Sequence, residues 1–102
     1  MFNHTFHIKG IFADINGLSI GNNVRFSGIN VGVIEGIEQV TDSTVRVDML
    51  IDESSRKFIK KNATAIIASD GMMGDKVMLI VPGIPGQKPI DDKDFIETTQ
   101  GI

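Results

Sequence analysis

The stretch Gly17-Leu18-Ser19-Ile20-Gly21-Asn22-Asn23-Val24-Arg25-Phe26-Ser27-Gly28-Ile29-Asn30-Val31-Gly32-Val33-Ile34 decides the fold. Its glycines, Gly17, Gly21, Gly28 and Gly32, fall between short apolar runs. Gly21-Asn22-Asn23 has turn chemistry, because Gly and Asn adopt positive φ at low cost. Val24 and Phe26 then alternate with Arg25 and Ser27, the pattern of a short strand with one buried face. Gly28 ends that strand, and Ile29, Val31 and Val33 begin the next. Composition alone fits two strands of any small barrel; the order of these residues is more specific.

Outward from this stretch, the pattern is all β. Before it, Phe6, Ile8, Gly10 and Phe12 alternate with His7, Lys9 and Ile11, which puts Gly10 on the inner face where a missing side chain permits close packing. After it, Ile34, Ile37 and Val40 recur at spacing three around Gly36, which predicts a β-bulge in a long bent strand. Thr41-Asp42-Ser43-Thr44 is a turn. Val45, Val47, Met49 and Ile51 alternate with Arg46, Asp48, Leu50 and Asp52, so the two runs form a hairpin. Residues 52–57 are polar and predict one helical or 3₁₀ turn anchored by Phe58 and Ile59. Ala63 to Ser69 is a small-residue strand. Lys76 to Val81 is apolar on both faces, as expected of a strand buried on two sides, and Pro82-Gly83-Ile84-Pro85-Gly86 stops it. Residues 90–94 turn, and Phe95 to Thr98 makes a short closing strand. About seven short strands separated by frequent turn signals predict a small single-domain all-β barrel with at most one helical turn.

The chain has 102 residues, 41% of them apolar and 23% charged, which suits one soluble globular domain. Its net charge of -3 and pI near 5.2 oppose a nucleic-acid surface, which needs clustered Lys and Arg. Lys57, Lys60 and Lys61 are the one basic cluster, and a solvated loop accounts for them. With no cysteine there is neither disulfide nor thiolate chemistry. No run reaches the roughly 20 apolar residues that span a bilayer as a helix.

Little points to catalysis. Ser19 does stand at Gly-x-Ser-x-Gly spacing, Gly17 to Gly21, but these glycines separate strands and open no helix, and neither a phosphate loop nor a dinucleotide fingerprint occurs. His4 and His7 have no ligand or carboxylate at useful spacing, so no metal or general base is expected. Asp48, Asp52 and Glu53 read as a solvated edge. The chain is expected to be no enzyme and to need no cofactor. What remains is Asp70-Gly71-Met72-Met73-Gly74-Asp75, two adjacent methionines between glycines and acids. They either tuck back into the core or project as an apolar tip toward a partner, a membrane or an apolar ligand, a role that the pliable methionine side chain suits.

These motifs together resemble the mammalian cell entry (MCE) domain, typified by the MlaD-type lipid-trafficking proteins of Gram-negative bacteria and by chloroplast relatives. That family runs F-x-x-x-x-G-L-x-x-G-x-x-V-x-x-x-G-x-x-V-G, then a late G-L-L-G-[ED]. Here Phe12, Gly17, Leu18, Gly21, Val24, Gly28, Val31 and Gly32 stand at matching spacing. Gly71-Met72-Met73-Gly74-Asp75 stands where the family has adjacent leucines. The resemblance implies a barrel, core about 5–98, that assembles as a homo-oligomer, a hexameric ring, around an apolar pore. Met72 and Met73 would line that pore, with Gly71 and Gly74 as hinges. It further implies a phospholipid or other lipid as ligand and an ATP-driven ABC permease as partner. The parent protein would be anchored in the inner membrane, with this domain in the periplasm and residues 1–102 excised from a longer chain. Replacing Leu-Leu by Met-Met keeps such a pore apolar and makes it more pliable.

Two other readings differ in class. A ligand-binding barrel of the oligonucleotide or oligosaccharide type needs aromatic stacking platforms and a basic groove, whereas Phe6, Phe12 and Phe26 fall at inward positions and the charge has the wrong sign. A purely structural assembly module would lack an apolar conduit.

Overall fold

The structure, a computed structural model, describes residues 4–70 and 75–99. Eight strands, β1 (Thr5–Phe12), β2 (Asn23–Phe26), β3 (Ile29–Thr41), β4 (Thr44–Asp52), β5 (Thr64–Asp70), β6 (Asp75–Val81), β7 (Asp94–Phe95) and β8 (Glu97–Thr99), form one sheet. The order is β7-β1-β4-β3-β2-β6-β5-β8. Its terminal strands β7 and β8 are consecutive in the chain, with only Ile96 between them, and this closes the sheet into a barrel. β7 runs parallel to β1 and β8 parallel to β5. Ile96 is buried, its N–H donates to the Lys9 carbonyl at 2.8 Å, and the Thr98 hydroxyl donates to the Ile11 carbonyl at 2.6 Å. The expected single closing strand is thus two short ones, because one segment has to serve two different edges.

The only helical element among the described residues is a 3₁₀ turn, Glu53–Phe58. Of its two expected anchors Ile59 is buried, while Phe58 is 56% exposed.

β1 follows its alternation: Phe6, Ile8, Gly10 and Phe12 face inward. A Cβ on Gly10 would lie 3.1 Å from both the Phe12 ring and the Thr98 methyl, so the absent side chain makes room for these neighbours. Opposite, Val47, Met49 and Ile51 of β4 are fully buried, and β1 pairs with β4 from Thr5↔Asp52 to Phe12↔Val45.

β3 carries the irregularity that Gly36 signals. Register shifts occur between Ile34 and Gly36 and again between Gln39 and Thr41. A further shift on the β2 side passes over Val31. Each extra residue reverses the inward phase. Val31 and Ile34 are therefore both buried, Ile37 packs partly on the core, and Ile29, Val33 and Val40 are exposed. The spacing-three series does not carry through to Val40 as a core position.

The core joins these residues to Leu18, Val24, Ala63, Ala65, Met78, Ile80 and Ile90. No buried polar or charged residue interrupts it among the described residues. Each large aliphatic or aromatic side chain buried in this way contributes about 1.5–3 kcal/mol.

Candidate functional site

The deciding stretch serves two different purposes. Gly17, Gly21 and Gly28 have φ of +88°, +94° and +79° with no atom within 4 Å of an added Cβ, so backbone conformation is what requires glycine. At Ser27-Gly28 both residues have positive φ, giving the two-residue hairpin turn that matches strand twist. Gly32 differs. A Cβ there would run into the Leu50 carbonyl oxygen and lie 2.9 Å from Ile51 Cδ1, because β3 and β4 approach too closely for any side chain. Leu18, Val24 and Val31 are core residues, 3%, 0% and 5% exposed. All seven motif positions are thus structural.

Gly71, Met72, Met73 and Gly74 lie outside the described residues. The strands that lead to them are well defined: β5 and β6 pair antiparallel from Thr64↔Val81 to Asp70↔Asp75, so these residues join the two strands of one hairpin.

That hairpin belongs to an unusual wall. On β6, Met78 and Ile80 point into the core, yet on the opposite face Val77 is also buried, Leu79 is half-buried and Val81 is 41% exposed. The expectation of burial on both faces therefore holds for the first half of β6 only. On the same outer face β5 presents Thr64, Ile66 and Ala68, with Ile66 paired to Leu79 and Ala68 to Val77. Across β2 the outer face is polar, Asn23 and Arg25, with Arg25 paired to Leu79; apolar side chains resume at Val33 of β3 and Leu50 of β4. The adjoining turn exposes Ile20, held beside this row by Gly21 N–H donating to the Ile34 carbonyl at 2.9 Å. Half-buried Leu79, Ile66 and Ala68 with exposed Val81 thus leave apolar side chains on the outside of the barrel. Sequence periodicity signalled them only at β6.

The wall built from β1 and β4 is finished with charge. The His7 ring lies 3.6 Å from Glu35 and 3.3 Å from Asp92, and the His7 N–H donates to Asp92 at 2.7 Å. Those N–H and ring contacts hold the Asp92 carboxyl below the usual range. Sequence spacing hides these carboxylates, since Asp92 comes from the other end of the chain. Arg46 pairs with Glu38 and with Asp48, and Lys9 lies 5.8 Å from the Phe95 ring.

At the barrel end where β1 begins, the 3₁₀ turn meets residues 88–94. Arg56 reaches Glu53 at 3.2 Å and Asp91 at 3.1 Å; Lys61 reaches Asp91 at 2.9 Å and Asp94 at 3.1 Å. The hydrogen bonds that Arg56 donates to Glu53 and Lys61 donates to Asp91 raise the pKa of Arg56 and of Lys61. Asp91 is lowered by Lys61, and Asp94 chiefly by the Asp91 N–H. Of the lysines at 57–61, Lys61 is thus part of an ordered ion-pair network, while Lys57 and Lys60 meet no carboxylate among the described residues. Among the aromatics, Phe6 and Phe12 are buried and Phe26 packs against the core, which leaves these three no face for stacking bases or sugars.

Residues 4–83 match the family model described as MlaD protein. No curated protein matches the chain significantly. Among solved structures, a chain of the Acinetobacter MlaFEDB complex in its ATP-bound Vtrans1 conformation is similar, with a TM-score of 0.82 at 17% identity over 100% of this chain and 78% of that one. At such identity the likeness is one of fold.

Proposed function

The chain belongs to the MlaD protein family, and from that premise we propose that it is a lipid-binding, channel-forming subunit of a cell-envelope lipid transport system. The observation that carries the reading is the apolar outer face of β5 and β6, which leads into the hairpin bearing Met72-Met73. A barrel with a complete core of its own gains nothing internally from apolar residues on its outside. A neighbouring subunit covering Ile66, Leu79 and Val33 does gain, at roughly 25 cal/mol per Å² removed from water. Repeated around a ring, hexameric by family similarity, that contact would gather the Met72-Met73 pairs of all subunits about one axis.

An apolar ring interior transports by partition. Each acyl CH₂ shielded from water is worth about 0.8 kcal/mol, so a chain can be held without any catalytic group. Energy for movement would come from an ATP-driven ABC permease, consistent with the ATP-bound complex that contains the similar chain. In this reading the domain sits in the periplasm, carried by an inner-membrane anchor in the parent protein.

The test is lipid extraction with mass spectrometry, together with native mass, on the parent protein purified from its host membrane. Co-purified phospholipid on a ring-sized assembly is the expected result, and Met72→Asp with Met73→Asp should abolish the lipid while keeping the assembly. A lipid-free monomer, or lipid retained undiminished by the double variant, overturns the reading.

A further inference from the structure

The barrel end opposite the β5–β6 hairpin has a feature that the conduit does not use. Two segments are stitched together there. Lys61 N–H donates to the Lys88 carbonyl at 2.9 Å, Ile90 N–H to the Ile59 carbonyl at 2.8 Å, and Lys60 forms a β-bridge with Pro89. Arg56 Nε donates to the Ile90 carbonyl at 2.9 Å, and Asn62 Nδ2 to the Ile84 carbonyl at 2.9 Å. Residues 82–90, free of strand structure, are thereby fixed against the 3₁₀ turn and its exit.

This stitching sorts the cations into two groups. Arg56 and Lys61 are taken up by Glu53, Asp91 and Asp94. Lys57, Lys60 and Lys88 have no carboxylate partner among the described residues. Lys60 Nζ donates to the Lys57 carbonyl, and Lys57 Nζ lies 5.2 Å from the Phe58 ring. Lys57 and Lys88 line an open groove of about 610 Å³, together with Arg56, Lys61, Glu53 and Asp91. In a chain of net charge -3, three uncompensated ammonium groups at one end are a local reversal of sign.

The same end bears apolar side chains that the core does not use. Phe58 is 56% exposed and Ile84 is 79% exposed, the latter at the tip of the Pro-Gly loop. Exposed apolar side chains on the same end as unpaired lysines, with Lys57 beside the Phe58 ring, match one surface chemistry above others. The tips enter the headgroup boundary of a bilayer, while the ammonium groups meet acidic phosphates at its surface. Lysine stems reach along apolar surface with their charges outward, which suits this depth.

We propose that this end of the barrel docks on a bilayer surface containing acidic phospholipid, with Lys57, Lys60 and Lys88 on headgroup phosphates and Phe58 and Ile84 as shallow apolar anchors. The inference stands apart from the conduit reading, since it uses none of the residues of that site.

The test is co-sedimentation of the whole chain with vesicles of phosphatidylcholine, with and without added phosphatidylglycerol. Binding is expected only with phosphatidylglycerol, and it should weaken as salt rises. Lys57→Glu, Lys60→Glu and Lys88→Glu together should lower the partition coefficient on the order of a hundredfold, at about fivefold per lysine lost. Phe58→Ser with Ile84→Ser should lower it several-fold and leave the salt dependence intact. Unchanged thermal midpoints certify that both variants fold. Met72→Asp with Met73→Asp should bind vesicles like the native chain, so failure of the conduit and failure of the docking surface show in different variants. Equal binding to neutral vesicles, full competition by soluble glycerophosphoglycerol, or an unaffected triple variant overturns the proposal, as does binding of an acidic protein in place of vesicles.

Discussion

The two walls of this barrel share a core and differ on their outer faces. On β1 and β4 the outward side chains include His7, Lys9, Arg46 and Asp48, and each meets a partner from the same chain. On β5 and β6 the outward row includes the half-buried Leu79, Ile66 and Ala68 beside Val77, already buried within the subunit, and neighbouring exposed positions include Ile20 and Val33. Inner faces are equally apolar on both sides, so folding the monomer cannot be what separates them. The lesson is that the first wall is complete within one subunit, whereas the second has surface to spare for a neighbour.

The largest expected effect lies at the seam between the walls, where β3 joins β4 to β2. Gly32→Val should cost about 3 kcal/mol or more, or abolish folding, because the Leu50 carbonyl and Ile51 cannot move apart without breaking the β3–β4 pairing. Urea unfolding followed by circular dichroism measures it; a loss below about 1 kcal/mol would show that the walls are less tightly joined than the close approach implies.

Next comes the inside of the second wall. Met78→Ala should destabilise by about 2–5 kcal/mol, since its side chain is fully buried against Val24 and Ile67 positions on either side. The outside of that wall should respond in the opposite manner. Ile66→Ser with Leu79→Ser should shift monomer stability by about 1 kcal/mol or less and remove self-association of the parent protein, read by native mass. If the double variant unfolds the monomer and leaves assembly alone, the contrast between the walls collapses.

On the first wall, Arg46→Ala removes pairs with Glu38 and Asp48 that are partly exposed. It should cost about 0.2–1 kcal/mol and leave assembly unchanged.

The smallest effect is with pH. Asp91, Asp92 and Asp94 titrate below the usual carboxylate range in the folded chain. Their charged forms therefore favour the folded state above the unfolded carboxylate pKa of about 3.9, and that contribution is lost as pH falls through the lower folded values. Thermal midpoints should decline on the acid side, less steeply in Asp92→Asn, and stay level near neutrality where all three carboxylates remain ionised in both states.

Much of the barrel was legible before any coordinates. Alternation in β1 and β4 gave the inner faces correctly, because each strand pairs without a bulge and keeps one phase throughout. Gly36 marked the bend in β3, but the second and third register shifts have no such signal, and so the exposure of Val40 could not be read from its spacing. Phe58 was misread as an anchor for the same kind of reason: a 3₁₀ turn has its own period, and only the packing of Ile59 shows which side faces in.

For the candidate sites the division is sharper. The order of glycines, together with Leu18, Val24 and Val31, was enough for the family, since turn conformations and close approaches are local demands written at fixed spacing. The partners of His7 and the meeting of Lys57 and Lys60 with Lys88 could not be read that way. They depend on residues 82–99 returning to β1, β5 and the 3₁₀ turn. Sequence by itself determined a closed, glycine-punctuated β-barrel of this family. Only the tertiary structure decided which outer wall is apolar and which end is basic, because both are sums over strands distant in the chain.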